Sequence, residues 1–257
     1  MQMKAIKQLC ADKLRVNVYE TRAAMGAAAG KAAAVRIRQL LEEKQEVNII
    51  FAAAPSQNET LDALVAAEGI DWSRINAFHM DEYVGLSADA PQGFGNFLTQ
   101  HLFGRVPFAR VFRLDPSATD PQAECARYAA LLKQYPVDLV CLGIGENGHL
   151  AFNDPGEAKF DDPEVVKVVK LDEVCRQQQV NDGCFASIDE VPKYAITLTV
   201  PTLFAGDYLF CIVPAKTKAN AVKATLGGEI GEACPATVLR KHKNAVLYLD
   251  SDSSALV

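Results

Sequence analysis

The chain has 257 residues, 49% of them hydrophobic and 23% charged, which is the balance of an ordinary globular protein. Its formal net charge is −6 with no basic block. This charge argues against nucleic acid as a partner, but it leaves room for a small basic pocket that holds an anion. Every apolar run is shorter than the ~20 residues that span a bilayer, so a membrane partner is not expected.

Strand-like and helix-like segments alternate from about residue 15 onward. In chain order, the sequence predicts strand at 16–19, helix at 21–43, strand at 47–53, helix at 58–67, strands at 75–80 and 111–114, helix at 123–133, strands at 137–142, 195–200 and 209–213, helix at 216–226 and strand at 245–249. This alternation predicts an α/β fold with a Rossmann-like, mostly parallel sheet and helices on both faces. Neither a linker nor a repeat divides the sequence, so residues 1–257 are expected to form a single domain.

Seven cysteines are widely spaced along the chain, mostly in apolar sequence. No C-x-x-C pair and no Cys/His ligand spacing occurs among them, which argues against a structural zinc site. Reduced thiols in the core of a cytoplasmic protein are the expected state.

The apolar strand predicted at 137–142 runs into a glycine-rich loop that ends on His149. Ligands of open α/β sheets bind beyond the carboxyl ends of strands, and an imidazole there is a candidate for proton transfer. An ordinary Asn-Gly hairpin is the alternative. It is disfavoured because Gly143, Gly145 and Gly148 exceed the needs of a tight turn and the following residues do not alternate as a return strand does.

Small residues close the strand that ends near residue 53. Ser56 and Glu59 have the spacing of a capping box at the start of the next helix. Small side chains such as Ala54, together with a helix N-terminus, can also cradle an anion. A well-capped helix without any ligand is the alternative interpretation.

Two carboxylates, Asp81 and Glu82, directly follow the strand predicted at 75–80. Such a pair is costly to bury, so one of the two is a candidate general base with a raised pKa, and a solvated loop is the alternative. His79 is predicted to be a hydrogen-bonded structural residue.

Later in the chain, two lysines open the helix predicted at 216–226, where Lys218 is predicted to face an anion and Lys216 to be solvated.

The glycine loop itself contains further groups with acid–base chemistry. Glu146, Asn147 and Asp154 lie within a few residues of His149. They can form a relay in which an acid orients the imidazole and selects its tautomer.

Three stretches of this chain resemble the glucosamine-6-phosphate deaminase (isomerising) family, which is related to the 6-phosphogluconolactonases. They are residues 80–85 (MDEYVG), 143–155 (GIGENGHLAFNDP) and 191–199 (VPKYAITLT). The first two are specific in combination, and the likeness covers roughly residues 15–250.

The resemblance implies a sugar-ring opening and an aldose–ketose isomerisation with loss of ammonia, without a metal or cofactor. It implies that Asp81 moves a proton between C2 and C1 and that His149 assists ring opening. Asp154, supported by Asn147, would hold the imidazole. The residues that the resemblance assigns to substrate binding, chiefly at the 6-phosphate, are Ser56, Ala54, Glu82, Gly145 and Lys218.

The chain departs from the family pattern at several of these positions. Asn147 stands where the best-studied deaminases have Asp, and Asp154 replaces the usual Glu. The phosphate loop is rich in alanine where the family has Gly and Thr. An arginine expected shortly before residue 191 is missing, and Arg176 is a possible substitute from a shifted loop.

Three functions remain open at this point. The first is deamination and isomerisation of glucosamine 6-phosphate or of an epimer such as galactosamine 6-phosphate. The second is a 6-phosphogluconolactonase, disfavoured because those enzymes carry Asp-Gly-His where this chain has Asn147-Gly148-His149. The third is a non-catalytic sugar-phosphate sensor, disfavoured because a sensor needs neither Asp81 nor His149. A phosphorylated amino sugar is the expected partner, and a homo-oligomer is possible.

Overall fold

Eleven strands form two sheets in the computed structural model, which describes residues 4–257. The strands are β1 (Lys7–Ala11), β2 (Leu14–Tyr19), β3 (Val47–Phe51), β4 (Ile75–His79), β5 (Asp81–Tyr83), β6 (Arg110–Val111), β7 (Leu139–Leu142), β8 (Val166–Lys170), β9 (Tyr194–Leu198), β10 (Tyr208–Val213) and β11 (Ala245–Asp250). The larger sheet has the order β1-β2-β11-β10-β7-β3-β4-β6. Its pairs are parallel except β1 with β2.

Helices cover both faces of the larger sheet because its central strands are apolar on both sides. In chain order they are α1 (Arg22–Glu43), α2 (Asn58–Val65), α3 (Phe94–Leu98), α4 (Pro121–Gln134), α5 (Glu173–Asn181), α6 (Val200–Phe204) and α7 (Ala219–Gly227). Helices α1, α2 and α3 contribute to one buried cluster, whereas α4, α6 and α7 contribute to the other. The predicted α/β class, with a mostly parallel sheet and helices on both faces, is confirmed.

The smaller sheet departs from the prediction. Strands β5, β9 and β8 form an antiparallel sheet in which Asp81 pairs with Thr197. The strand predicted at 195–200 lies here and not in the parallel sheet, because an apolar run does not reveal the direction of its partner. Strands β1, β5 and β8 and helices α3, α5 and α6 had no counterpart among the predicted elements.

The predicted capping box at Ser56 and Glu59 is wrong. Ser56 lies in a short 3-10 turn, Pro55–Gln57, and α2 begins after it at Asn58 without a side-chain cap. Glu59 instead forms an ion pair with Arg22 of α1, with 2.7 Å between Nε and Oε1. Glu59 therefore pairs with a residue of another helix and does not cap its own.

Two further properties bear on the sequence predictions. All seven cysteines are free thiols. Within residues 4–257, the helices are all too short or too polar to cross a membrane. The first three residues of the predicted domain lie outside the described part of the chain.

Candidate active site

The carboxyl ends of β3, β4, β7 and β10 surround a cavity of about 70 Å³. This volume is below the ~300–1,000 Å³ of typical ligand sites. Glu82, Asn147 and Asp154 lie outside its lining. The predicted site residues that line the cavity are Ala54, Ser56, Asp81, Gly145, His149 and Lys218.

Asp81 reaches the cavity from the first position of β5, two residues beyond the end of β4. It is 7% exposed, and burial together with the charge of Glu82 raises its pKa well above the ordinary value. A carboxyl group with a raised pKa can both accept and return a proton near neutral pH. The geometry therefore suits the predicted general base.

His79 is a structural residue, as its sequence position predicts. Its Nδ1–H donates to the Asp81 carbonyl oxygen at 2.9 Å, and the Leu114 N–H donates to its Nε2 at 2.9 Å. These partners select the tautomer, and burial lowers the pKa of His79 to about 3. The neutral imidazole thus holds the backbone of Asp81 in place.

The glycine loop after β7 places His149 against the opposite wall. A β-carbon at Gly145 would lie 2.2 Å from the His149 ring, so only glycine lets the imidazole occupy this position. Gly148 has a φ of +87°, a left-handed conformation that glycine adopts without strain. Two of the three loop glycines are therefore required by the geometry of His149.

Asp154 stands behind the imidazole, where the relay prediction puts it. Its Oδ1 lies 2.9 Å from His149 Nδ1 and accepts a bond from Asn147 Nδ2 at 3.0 Å. Burial favours a raised pKa, but the contacts with His149 and Asn147 outweigh it and lower the pKa of Asp154. His149 Nδ1 contacts the carboxylate of Asp154, but its N–H does not point at an oxygen. The two groups therefore form no aligned hydrogen bond. Such bonds often tighten only when substrate binds.

Glu82 lies in the wall behind the cavity, unlike the other residues predicted to bind substrate. Its carboxylate accepts three backbone N–H bonds, from Tyr83, Phe94 and Gly95, at 2.9–3.0 Å. Burial raises the pKa of Glu82 despite these bonds. The contacts show that Glu82 anchors the first turn of α3 to β5.

Lys218 brings a positive charge to the lining of the cavity. It is 6% exposed, and burial lowers its pKa although Asp182 and Glu146 act in the opposite direction. Across residues 4–257, its ammonium forms no ion pair within 4.0 Å. A buried ammonium without a counter-ion suits an anionic ligand. Lys216 is exposed, as predicted.

Arg176, the possible substitute for the missing arginine, points away from the cavity. Its guanidinium donates to the carbonyl oxygens of Ile188 and Val191, the latter at 3.0 Å. In its place, Gln178, Gln179 and Asp182, at and just after the end of α5, line the cavity. The sequence offered no signal for them, because α5 lacks clear apolar periodicity.

Gln57 is another lining residue that the sequence did not single out. Its Nε2 donates to the Ile212 carbonyl oxygen at 3.2 Å, which turns Oε1 away from the backbone. This buried Oε1 has no partner in the described structure.

Cys175 also joins the site, since its sulfur lies within 4.8 Å of a ligand atom of both His149 and Asp154 and could help hold a metal ion.

An acid and an imidazole face one cavity at the carboxyl edge of a parallel sheet, with a buried ammonium beside them. These features define a class of α/β proteins equipped for acid–base chemistry on a small anion. A family model described as glucosamine-6-phosphate isomerases/6-phosphogluconolactonase matches residues 20–248. The chain belongs to this family, which confirms the resemblance seen in its motifs.

Individual relatives agree with the family assignment. A glucosamine-6-phosphate deaminase of Lactobacillus delbrueckii subsp. bulgaricus is 39% identical over 207 residues, covering 80% of this chain and 86% of the relative. One of Listeria innocua is 34% identical over 212 residues, covering 82% and 88%. A solved monomeric glucosamine-6-phosphate deaminase has a TM-score of 0.86 at 30% identity, covering 94% and 99%. The 6-phosphogluconolactonase of Thermotoga maritima, at 20% identity and a TM-score of 0.74 over 91% and 98%, shares the fold.

Proposed function

We propose that this protein is an amino-sugar-phosphate deaminase that converts glucosamine 6-phosphate, or an epimer such as galactosamine 6-phosphate, to a ketose 6-phosphate and ammonia. The observation that carries the proposal is the convergence of Asp81 and His149 on one cavity from two distant parts of the chain. The curated relatives, which are named glucosamine-6-phosphate deaminases, support the same activity.

The reaction begins with ring opening at His149. The imidazole takes the proton of the anomeric hydroxyl and passes a proton to the ring oxygen, and the bond between C1 and the ring oxygen breaks. Asp154, at 2.9 Å, stabilises the positive charge on the ring during this transfer. Asn147 keeps Asp154 oriented through its own 3.0 Å hydrogen bond.

Isomerisation follows at Asp81. The carboxylate takes the proton from C2 of the open-chain amino aldose, a proton of the ammonium group passes to O1, and an enol forms between C1 and C2. Return of the proton to C1 leaves a C2 imine, which water hydrolyses to the ketose and ammonia. Burial favours this proton shuttle because it raises the pKa of Asp81, and a carboxyl group with a raised pKa can both accept and return a proton near neutral pH.

The phosphate is held in the same cavity. Lys218 supplies the positive charge, and the Ser56 hydroxyl and the Ala54 backbone line the same region. Gly145 borders the path between the phosphate and the imidazole. We propose that Glu82 acts on the substrate only indirectly, by fixing the strand that carries Asp81.

The partner of the site is thus a phosphorylated amino sugar. The identity of its epimer is part of the proposal. A cytoplasmic location and a homo-oligomeric assembly stay predictions from the sequence.

A substrate panel tests this function. The purified protein is expected to release ammonium from an amino sugar 6-phosphate and to form a ketose phosphate in equal amount. Asp81→Asn should lower kcat by at least about 10²-fold, the upper end of what one general base supplies being about 10⁴-fold, while the Kd of the substrate changes little. Exposed Asp189 provides the matched control, since Asp189→Asn should leave both constants unchanged.

Other outcomes separate the alternatives. Hydrolysis of 6-phosphogluconolactone without any ammonium release would move the assignment to the lactonase activity. Binding of sugar phosphates without turnover would identify a sensor. Ammonium release that persists in Asp81→Asn would remove Asp81 as the base.

A further inference from the structure

Three side chains with metal-binding atoms meet at the cavity wall. The imidazole of His149, the carboxylate of Asp154 and the thiol of Cys175 each offer one atom, and these atoms all lie within 4.8 Å of one another. The residues are 7%, 1% and 1% exposed. They come from separate parts of the chain, two from the glycine loop after β7 and one from the first turn of α5.

Two atoms of this cluster have unused bonding capacity. His149 Nδ1 and Asp154 Oδ2 are buried and lack an aligned hydrogen-bond partner among the residues described. Buried polar atoms in native proteins are nearly always satisfied, so an orphaned pair points to a missing ligand. The Cys175 thiol lies beside the same carboxylate.

We propose that His149, Asp154 and Cys175 form an inhibitory binding site for a thiophilic divalent cation of the zinc and cadmium class. Nitrogen, carboxylate oxygen and thiolate sulfur are ligands that zinc accepts at about 2.0–2.3 Å, so the sulfur needs to approach the other two atoms by about 1 Å. Binding replaces the thiol proton of Cys175 with the metal and releases that proton to solvent. The imidazole proton moves from Nδ1 to Nε2, and no electron is transferred.

The charge and the ligand types select this class of cation. A divalent ion with one carboxylate and one thiolate forms a neutral cluster, which suits a buried position. Magnesium and calcium require six or more oxygen ligands, which one buried carboxylate cannot supply. Soft thiolate and imidazole ligands favour zinc or cadmium.

Metal binding should stop the proposed reaction, and this part of the inference rests on the proposed function. With Nδ1 bound to the ion, Asp154 no longer orients His149 for proton transfer. The ion also ties α5 to the glycine loop. Because α5 lines the cavity through Gln178 and Gln179, this tie restrains the part of the wall that α5 provides.

Cadmium binding tests the site without any substrate. Titration of the protein with cadmium should produce the ultraviolet charge-transfer band of a cadmium–thiolate bond, with one equivalent bound. Cys175→Ser should abolish the band, whereas Cys10→Ser should retain it because Cys10 is exposed and distant in β1. A band that survives in Cys175→Ser, or that disappears in Cys184→Ser, would refute the site.

Zinc inhibition tests the consequence. The zinc concentration for half-inhibition of ammonium release should rise at least about tenfold in Cys175→Ser, and magnesium should have no effect. If Cys175→Ser fails to fold, Asp154→Asn tests the same cluster through the cadmium band. Cadmium binding through Cys175 in a protein without deaminase activity would overturn only the proposed function. Deamination unaffected by saturating zinc would overturn the inhibition.

Discussion

Gly145 shows how a residue without a side chain can position a functional one. A β-carbon at this position would overlap the His149 ring at 2.2 Å, and Asp154 lies against the ring at 2.9 Å. Glycine is therefore needed at this position to leave room for the imidazole, more than to form the turn. The sequence revealed the loop, but only the coordinates show which of its glycines makes room for the ring.

Gly145→Ala is expected to displace the imidazole and lower kcat by about 10²-fold, the effect of a 1 Å misplacement. Steady-state kinetics measures this loss. Gly227→Ala is the matched control, since a β-carbon there meets no atom within 4 Å, and its kcat should equal that of the unmodified protein. A Gly145→Ala variant with full kcat would show that the ring tolerates displacement.

At the scale of elements, α5 lines the cavity with the amide side chains of Gln178 and Gln179, where the family resemblance led us to expect an arginine. The missing arginine is not restored by Arg176, whose guanidinium fastens the segment after α5 to two carbonyl oxygens. Lys218, directly before α7, is thereby left as the basic side chain that lines the cavity. The two basic residues should consequently behave differently when they are replaced.

Lys218→Met should raise the KM of the sugar phosphate by about 10- to 100-fold, because it removes the buried ammonium that pairs with the phosphate. Arg176→Met should alter KM by less than about threefold while lowering stability by about 1–3 kcal/mol through two unsatisfied carbonyl groups. Kinetics and urea unfolding measure the two effects. A large rise in KM in Arg176→Met with unchanged stability would return this arginine to the phosphate.

The elements that the sequence predicted and those it missed differ in a physical way. Every residue of β4 and β7 is buried and most of them are apolar, so composition marks both strands, and the motifs at their ends mark Asp81 and His149. Strand β5 is three residues long, and α5 is rich in glutamine, so neither carries a periodic signal. Gln57, Gln178 and Gln179 enter the site through three-dimensional neighbours, which no local pattern encodes.

At the scale of the whole molecule, the buried acid at position 81 should cost stability. In the unfolded chain Asp81 ionises near its ordinary pKa of 3.8, whereas burial raises its pKa in the folded protein. As pH rises through the interval between these values, the unfolded state releases a proton that the folded state retains. Stability therefore falls with rising pH in this interval.

Asp81→Asn should remove that penalty and raise the free energy of unfolding by about 0.5–2 kcal/mol at pH ~8, with a smaller gain at pH ~4. Urea unfolding at the two pH values measures the difference. Asp189→Asn, at an exposed carboxylate, should show no such dependence. An equal gain at both pH values would mean that Asp81 titrates alike in the folded and unfolded chains.

The antiparallel pairing of β5 with β9 has an evolutionary consequence. Between β7 and β10 the chain makes an excursion from the larger sheet. This excursion contains β8, α5 and β9. Substitutions at its cavity-lining positions can reshape the contacts to the sugar, whereas its buried apolar residues belong to both core clusters and are held by that packing. Descendants of this protein could thus acquire new sugar preferences through substitutions at the lining positions of this one segment.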